Sequence, residues 1–66
     1  MSIYQKIRTI RDEHFHELRP NEKQFIEDLD DGLAGISYDT TDENIADYLT
    51  DRQIEWVKDI ANCLGI

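Results

Sequence analysis

The 66-residue sequence predicts an all-α fold, a small antiparallel bundle of three to four helices formed by one domain over residues 1–66. Three observations carry that prediction. Apolar residues recur at spacings of three and four, the period of a single helical face. Helix-start signatures stand in front of these runs. No convincing strand pattern interrupts them, and consecutive helices with short connections pack as antiparallel neighbours.

The first element opens at Ser2, whose spacing to Gln5 is that of a capping box. Ile3, Ile7, Ile10, His14 and Leu18 then mark one face, with Phe15 widening it, so the helix is expected from Ile3 to His16 or Glu17. His14 lies on the apolar stripe and reads as a partly buried histidine bonded to a neighbour. Pro20 suits the first turn of a second helix, where its missing N–H costs nothing. Glu22 complements the helix dipole there, and Phe25, Ile26, Leu29 and Leu33 form the buried stripe. Gly32 and Gly35 can each end this helix in a left-handed conformation.

Ile36 to Asp39 reads as a connector with extended character. Thr40 and Glu43 have capping-box spacing before a short helix that carries Ile45, Ala46 and Tyr48. Thr50 and Gln53 repeat the device, with Leu49 and Ile54 placed as a hydrophobic staple. The last helix carries Ile54, Val57, Ala61 and Leu64 on one face, Trp56, Ile60 and Cys63 beside them, and Gly65 at its end. Cys63 reads as core packing.

The chain echoes itself at a shift of 31 residues. Leu18-Arg-Pro-Asn-Glu-Lys-Gln-Phe-Ile-Glu-Asp-Leu overlies Leu49-Thr-Asp-Arg-Gln-Ile-Glu-Trp-Val-Lys-Asp-Ile, with Leu18, Asp28 and Leu33 matching Leu49, Asp59 and Leu64. Phe25 with Trp56, Ile26 with Val57 and Leu29 with Ile60 are conservative matches. The shared content is a leucine outside the cap and an aromatic–aliphatic pair seven and eight residues on. The two helices are expected to face one another through Phe25 and Trp56.

Composition narrows the function. The chain carries a net charge of −8, and 39% of its residues are apolar, enough for one compact core. A domain of this size buries only about 60% of its unfolded surface, so its stability should be modest. A single cysteine rules out an internal disulfide, and a reducing, cytoplasmic setting follows. No apolar run reaches the roughly 18 residues of a membrane span, and residues 1–11 lack a signal-peptide apolar run. Through Lys23 the charge is +1, from Lys6, Arg8, Arg11, Arg19 and Lys23 against four acids. From Gln24 onward it is −9, from eleven acids against Arg52 and Lys58. Such a surface repels phosphate backbones and attracts basic protein surfaces, over roughly a Debye length of 8 Å at physiological salt.

Catalytic and metal chemistry find little purchase. Asp28-Leu-Asp-Asp-Gly begins like a calcium loop but places Gly32, Leu33 and Asp39 where an oxygen ligand, a glycine and a glutamate are required. His14 and His16 point about 200° apart on a helix and cannot chelate one ion together. Cys63 lacks the elbow and oxyanion donors of an acyl-transfer nucleophile. No glycine-rich phosphate loop is present. These readings predict a non-enzymatic protein without cofactor or metal.

The segments from Leu18 and Leu49 resemble a helical module of small tailed-phage proteins with a Leu-Thr/Ser-x-Lys/Arg-Gln-x-x-Trp-Leu element. The family suggested is the small helical domain associated with the phage UvsW-type recombination helicase. The resemblance covers about half of the chain, rests on cap and core residues, and implies a fold and a phage setting but no site residue. The acid excess after Gln24 departs from what a DNA-contacting module should show.

The expected function is that of a small acidic helical interaction protein, phage-derived, which binds and modulates or inhibits a nucleic-acid-handling protein. It would act as a DNA mimic in an anti-CRISPR-like manner. Its expected contact residues are Glu27, Asp28, Asp30, Asp31, Tyr38, Asp39, Asp42, Glu43, Asp47 and Tyr48, the tyrosines serving as anchors. The alternative is a nucleic-acid-binding accessory module of a phage helicase or recombination system that uses Lys6, Arg8, Arg11, Arg19 and Lys23. A homodimer formed through the aromatic face is a third expectation.

Overall fold

The computed structural model describes all 66 residues. It is all-helical, with four α-helices and no strand: α1 (Ile3–Thr9), α2 (Pro20–Gly32), α3 (Asp42–Ile45) and α4 (Asp51–Leu64). α1 is the hub, since α2, α3 and α4 all pack against it.

Ser2 opens α1 as expected. Its hydroxyl accepts the Gln5 N–H at 3.2 Å, and Gln5 Oε1 accepts the Ser2 N–H at 3.2 Å. The helical path reaches Glu17, but not as one α-helix. It widens into a π turn over Ile10–His14 and tightens into a 3₁₀ turn over Phe15–Glu17. The change of winding coincides with a change of core. Ile3, Tyr4 and Ile7 join one apolar cluster with Leu29, Leu33, Ile45, Leu49 and Val57. Ile10 and Leu18 join a second, with Ile26, Ile60 and Ala61. His14 is half-buried and donates from Nδ1 to Glu17 Oε2 at 2.6 Å.

Arg19, preceding Pro20, is extended as the proline ring demands. Its N–H is accepted by Glu22 Oε1 at 2.9 Å, and Pro20 takes the first helical position. α2 ends without a left-handed residue at Gly32; Gly35, at φ +86°, supplies it three residues later.

The connector departs from the expected extended form. Thr40 N–H donates to Ser37 O at 3.0 Å and closes a turn, within which the Ser37 hydroxyl donates to Asp39. With Thr40 committed to that turn, the cap of α3 moves one residue on. Thr41 Oγ1 accepts the Asn44 N–H at 3.3 Å, and the expected Thr40–Glu43 box does not form. The shift places Asp42 so that its Oδ1 accepts the Ile3 N–H at 2.7 Å, tying α3 to the start of α1. The Tyr4 hydroxyl donates to Ile36 O at 3.3 Å beside it. α3 spans only four residues. Tyr48 therefore sits in the turn after it, not on the helix as expected.

α4 begins at the Thr50–Gln53 box, with Gln53 N–H to Thr50 Oγ1 at 3.2 Å and Thr50 N–H to Gln53 Oε1 at 2.8 Å. It ends at Gly65, φ +79°. The 31-residue echo maps onto structure, because Pro20 and Asp51 both hold the first helical position. Leu18, Ile26 and Leu29 are buried, as are Leu49, Val57 and Ile60. Phe25 and Trp56 face each other as expected, stacked with centroids 4.0 Å apart and planes at 19°. Phe25 touches both apolar clusters and so joins them. Cys63 is not in the core. It lies about 200° around the helix from buried Ala61 and is exposed.

Candidate interaction surface

Sequence places ten residues on an acidic contact surface, and the fold gives them unequal freedom. Glu27, Asp28, Asp31, Asp39, Asp42, Glu43 and Asp47 are exposed, as are Tyr38 and Tyr48. Asp30 is half-buried and bound to Arg8, Oδ1 to Nη1 at 2.6 Å, with Asp12 a further 3.6 Å contact of the same guanidinium. The hydrogen bond to Asp30, then the fields of Asp30 and Asp12, hold the Arg8 pKa above its ordinary guanidinium value. Asp42 spends one oxygen on the Ile3 N–H. Asp30 and Asp42 thus each make a bond within the fold. Glu27, Asp31, Glu43 and Asp47 have no hydrogen-bond or ion-pair partner in the chain, and Asp28 accepts only from Gln24 Nε2, at 2.9 Å.

Of the eleven acids after Gln24, Asp30 and Glu55 meet a cation within 4.0 Å, leaving nine unneutralised. Their charge stays on the surface, where it acts over roughly a Debye length.

Tyr48 organises part of this surface. It is 58% exposed and stands between two shallow grooves. One, about 280 Å³, runs along the connector and α3 and is lined by Ile36, Thr40, Asn44 and Asp47 with Tyr48. The other, about 160 Å³, lies between the end of α2 and the start of α4. Asp28, Leu29, Gly32, Leu33, Leu49 and Gln53 line it with Tyr48. The fold therefore brings Asp28 and Asp47 to opposite sides of one tyrosine. Tyr38 is not part of this arrangement; its ring lies edge-on to Tyr4, 6.4 Å between centroids.

The basic residues are also divided. Arg8 is held by Asp30 and Asp12 and is not a free phosphate contact. Arg11 and Lys23 converge on Phe15, with Arg11 Cζ 4.5 Å and Lys23 Nζ 5.7 Å from the ring centroid. Neither meets a carboxylate within 4.0 Å. Sequence reasoning took Phe15 only as a core residue. The Arg11–Phe15 spacing of four was a legible sign of contact, whereas Lys23 arrives from the next helix. Arg19 is exposed, and Lys6 is half-buried without an ion-pair partner.

A third groove of about 390 Å³, lined by Leu18, Arg19, Glu22, Ile60, Cys63 and Leu64 with Glu17, opens at the far end of the second cluster. No three His, Cys, Asp or Glu side chains come together in metal-binding geometry, and no helix is long and apolar enough to cross a membrane. Comparison of the chain with protein-family models, with curated proteins and with solved structures finds no significant match in any of the three.

Proposed function

We propose that this chain is a non-enzymatic interaction protein of phage setting. It binds a basic surface of a nucleic-acid-handling protein through its unpaired carboxylates, Asp28 and Asp47 beside Tyr48 among them, and modulates or blocks that protein as a mimic of a phosphate backbone. The observation that supports the reading is the set of nine acidic side chains left without a cationic partner. Intramolecular ion pairing would have removed their field, whereas here it remains to steer and hold a basic partner. Asp28, Asp31, Glu43 and Asp47 are the residues of the contact, with Tyr48 as its aromatic anchor. Asp30 and Asp42 support the scaffold that presents them.

The test is capture of the tagged protein from host lysate, with and without nuclease, beside a variant carrying Asp28→Lys, Asp31→Lys, Glu43→Lys and Asp47→Lys. Retention of one basic nucleic-acid-binding protein after nuclease treatment, and its loss from the variant, is the expected result. Loss of every specific partner on nuclease treatment, with stronger DNA binding by the variant, would instead identify nucleic acid as the ligand. Arg11 and Lys23 over Phe15 favour that second reading, an accessory module of a helicase or recombination system, because they are the cations the fold leaves unpaired beside an aromatic ring. Phosphate contacts of this kind weaken steeply with salt.

A further inference from the structure

We infer that this chain is a dimer built into one polypeptide: two copies of a helical unit, 31 residues apart in sequence, that pair across a pseudo-two-fold axis between α2 and α4. The surface is the seam of the two helices, and the partner it fits is a second copy of itself, supplied here by the same chain. The inference is independent of the acidic reading above. Phe25 and Trp56 mark the axis. They are counterparts at the 31-residue shift and lie face to face, with centroids 4.0 Å apart and planes at 19°. In an isologous contact a residue meets its own counterpart only on the two-fold axis.

Away from the axis every contact should then occur twice, and three sets do. Six of the seven residues lining the groove at the Leu18 end have counterparts lining the groove at the Leu49 end. Leu18, Glu22, Ile60 and Leu64 stand in the first where Leu49, Gln53, Leu29 and Leu33 stand in the second, and Glu17 and Cys63 where Tyr48 and Gly32 stand. Only Arg19 and Asp28 lack a match. The two apolar clusters exchange in the same way. Leu29, Leu33, Leu49 and Val57 belong to one; their counterparts Ile60, Leu18 and Ile26 belong to the other, with Leu64 packed against it. The helix starts agree as well, Arg19 N–H donating to Glu22 Oε1 at 2.9 Å and Thr50 N–H to Gln53 Oε1 at 2.8 Å.

A repeated helix-start pattern accounts for the caps but not for these reciprocal contacts. A cap and an apolar stripe fix where a helix begins and which side it buries. They do not fix how far it slides along a neighbour, whereas matching contacts at both ends require a surface complementary to its own copy. The symmetry stays on the buried side. Asp28 and Asp59 are the one corresponding pair of carboxylates on α2 and α4; Glu27, Asp30 and Asp31 correspond to Lys58, Ala61 and Asn62. The inner faces keep the shared unit, and the outer faces differ.

The experiment is a graft in the full chain. Residues 18–33 are replaced by the sequence of residues 49–64, which differs at 13 of 16 positions. A control receives the sequence of residues 50–65 there, one residue out of register. The reverse graft is avoided, since it would set an aspartate in the buried place of Ala61. We expect the graft to melt cooperatively within about 10 °C of wild type, and the control to lose its cooperative transition. The graft also carries Phe25→Trp, so its two stacked indoles should give an exciton couplet in far-ultraviolet circular dichroism that wild type lacks. A graft that melts no better than the folded control, or that folds without the couplet, would overturn the internal dimer. If neither chain folds, a smaller exchange decides: Ile26→Val, Val57→Ile, Leu29→Ile and Ile60→Leu together. These swap counterparts across the axis and conserve total volume. A melt within about 5 °C of wild type upholds the axis, and a larger loss overturns it.

Discussion

At the scale of single residues, neighbouring carboxylates of the same type do different work. Asp42 and Glu43 are adjacent and both exposed, yet only Asp42 reaches across the molecule to the Ile3 N–H. The first N–H groups of a helix have no intrahelical partner, and a carboxylate supplies a charge-assisted bond there. Asp42→Ala should therefore lower the unfolding free energy by about 1–2 kcal/mol, and Glu43→Ala should change it by less than about 0.5 kcal/mol. Urea denaturation of the two variants checks this, and equal effects would show that the bond to Ile3 carries no weight. Arg8 is bound by Asp30 in the same structural sense. Its pKa is raised, so whatever stability the pair contributes through Arg8 is complete at every pH below the ordinary guanidinium range. That contribution is lost only as the pH climbs past the raised value. Physiological and mildly alkaline conditions leave the Arg8 side of the pair untouched.

At the scale of elements, the two glycines that sequence offers as ends of α2 have opposite meanings. Gly35 sits at φ +86°, where an L side chain is strained, while Gly32 sits in ordinary helical backbone with open space around it. Gly35→Ala should destabilise the protein by about 1 kcal/mol. Gly32→Ala should stabilise it by about 0.5–1 kcal/mol, less toward the lower figure because a final helical position frays. Thermal melts of the pair resolve the two signs, and a loss of stability in both would contradict the backbone assignment. The change of winding over residues 10–17 belongs to the same scale. The spacing from Ile3 to Leu18 reads as one helical face, and every apolar member of it is buried. Their division between two clusters, however, is a property of what α2, α3 and α4 present to them.

At the scale of the whole molecule, a small core works against a large like-charge surface. Thirteen residues are buried, all of them hydrophobic, and they hold the chain against a net charge of −8. Carboxylates without partners repel one another in the compact state, and salt screens that repulsion. The urea midpoint should rise as NaCl is raised from about 20 mM to about 500 mM, since the Debye length falls severalfold over that interval. A midpoint that falls with salt would mean that the ion pairs of Arg8 with Asp12 and Asp30, and of Lys58 with Glu55, outweigh the repulsion.

The sequence by itself determined which stretches become helices and where most of them start. Ser2 with Gln5, Pro20, and Thr50 with Gln53 act within a few residues of chain, so local chemistry is enough to read them. It also determined the Phe25–Trp56 contact, because two helices with the same stripe and the same start present the same residue to each other. Tertiary structure decided the rest. Thr41 displaces Thr40 as a cap because Thr40 closes a turn with Ser37, and the shift sets Asp42 against Ile3, 39 residues away. Cys63 faces outward, about 200° around α4 from buried Ala61. Asp30 and Arg8 are paired because the fold brings them together across 22 residues. Asp28, Gly32 and Tyr48 line one groove only when the end of α2 meets the turn before α4. Local signals fix where a helix starts, but the partner of a charge or the wall of a groove is fixed only by which distant residues the packed core brings alongside.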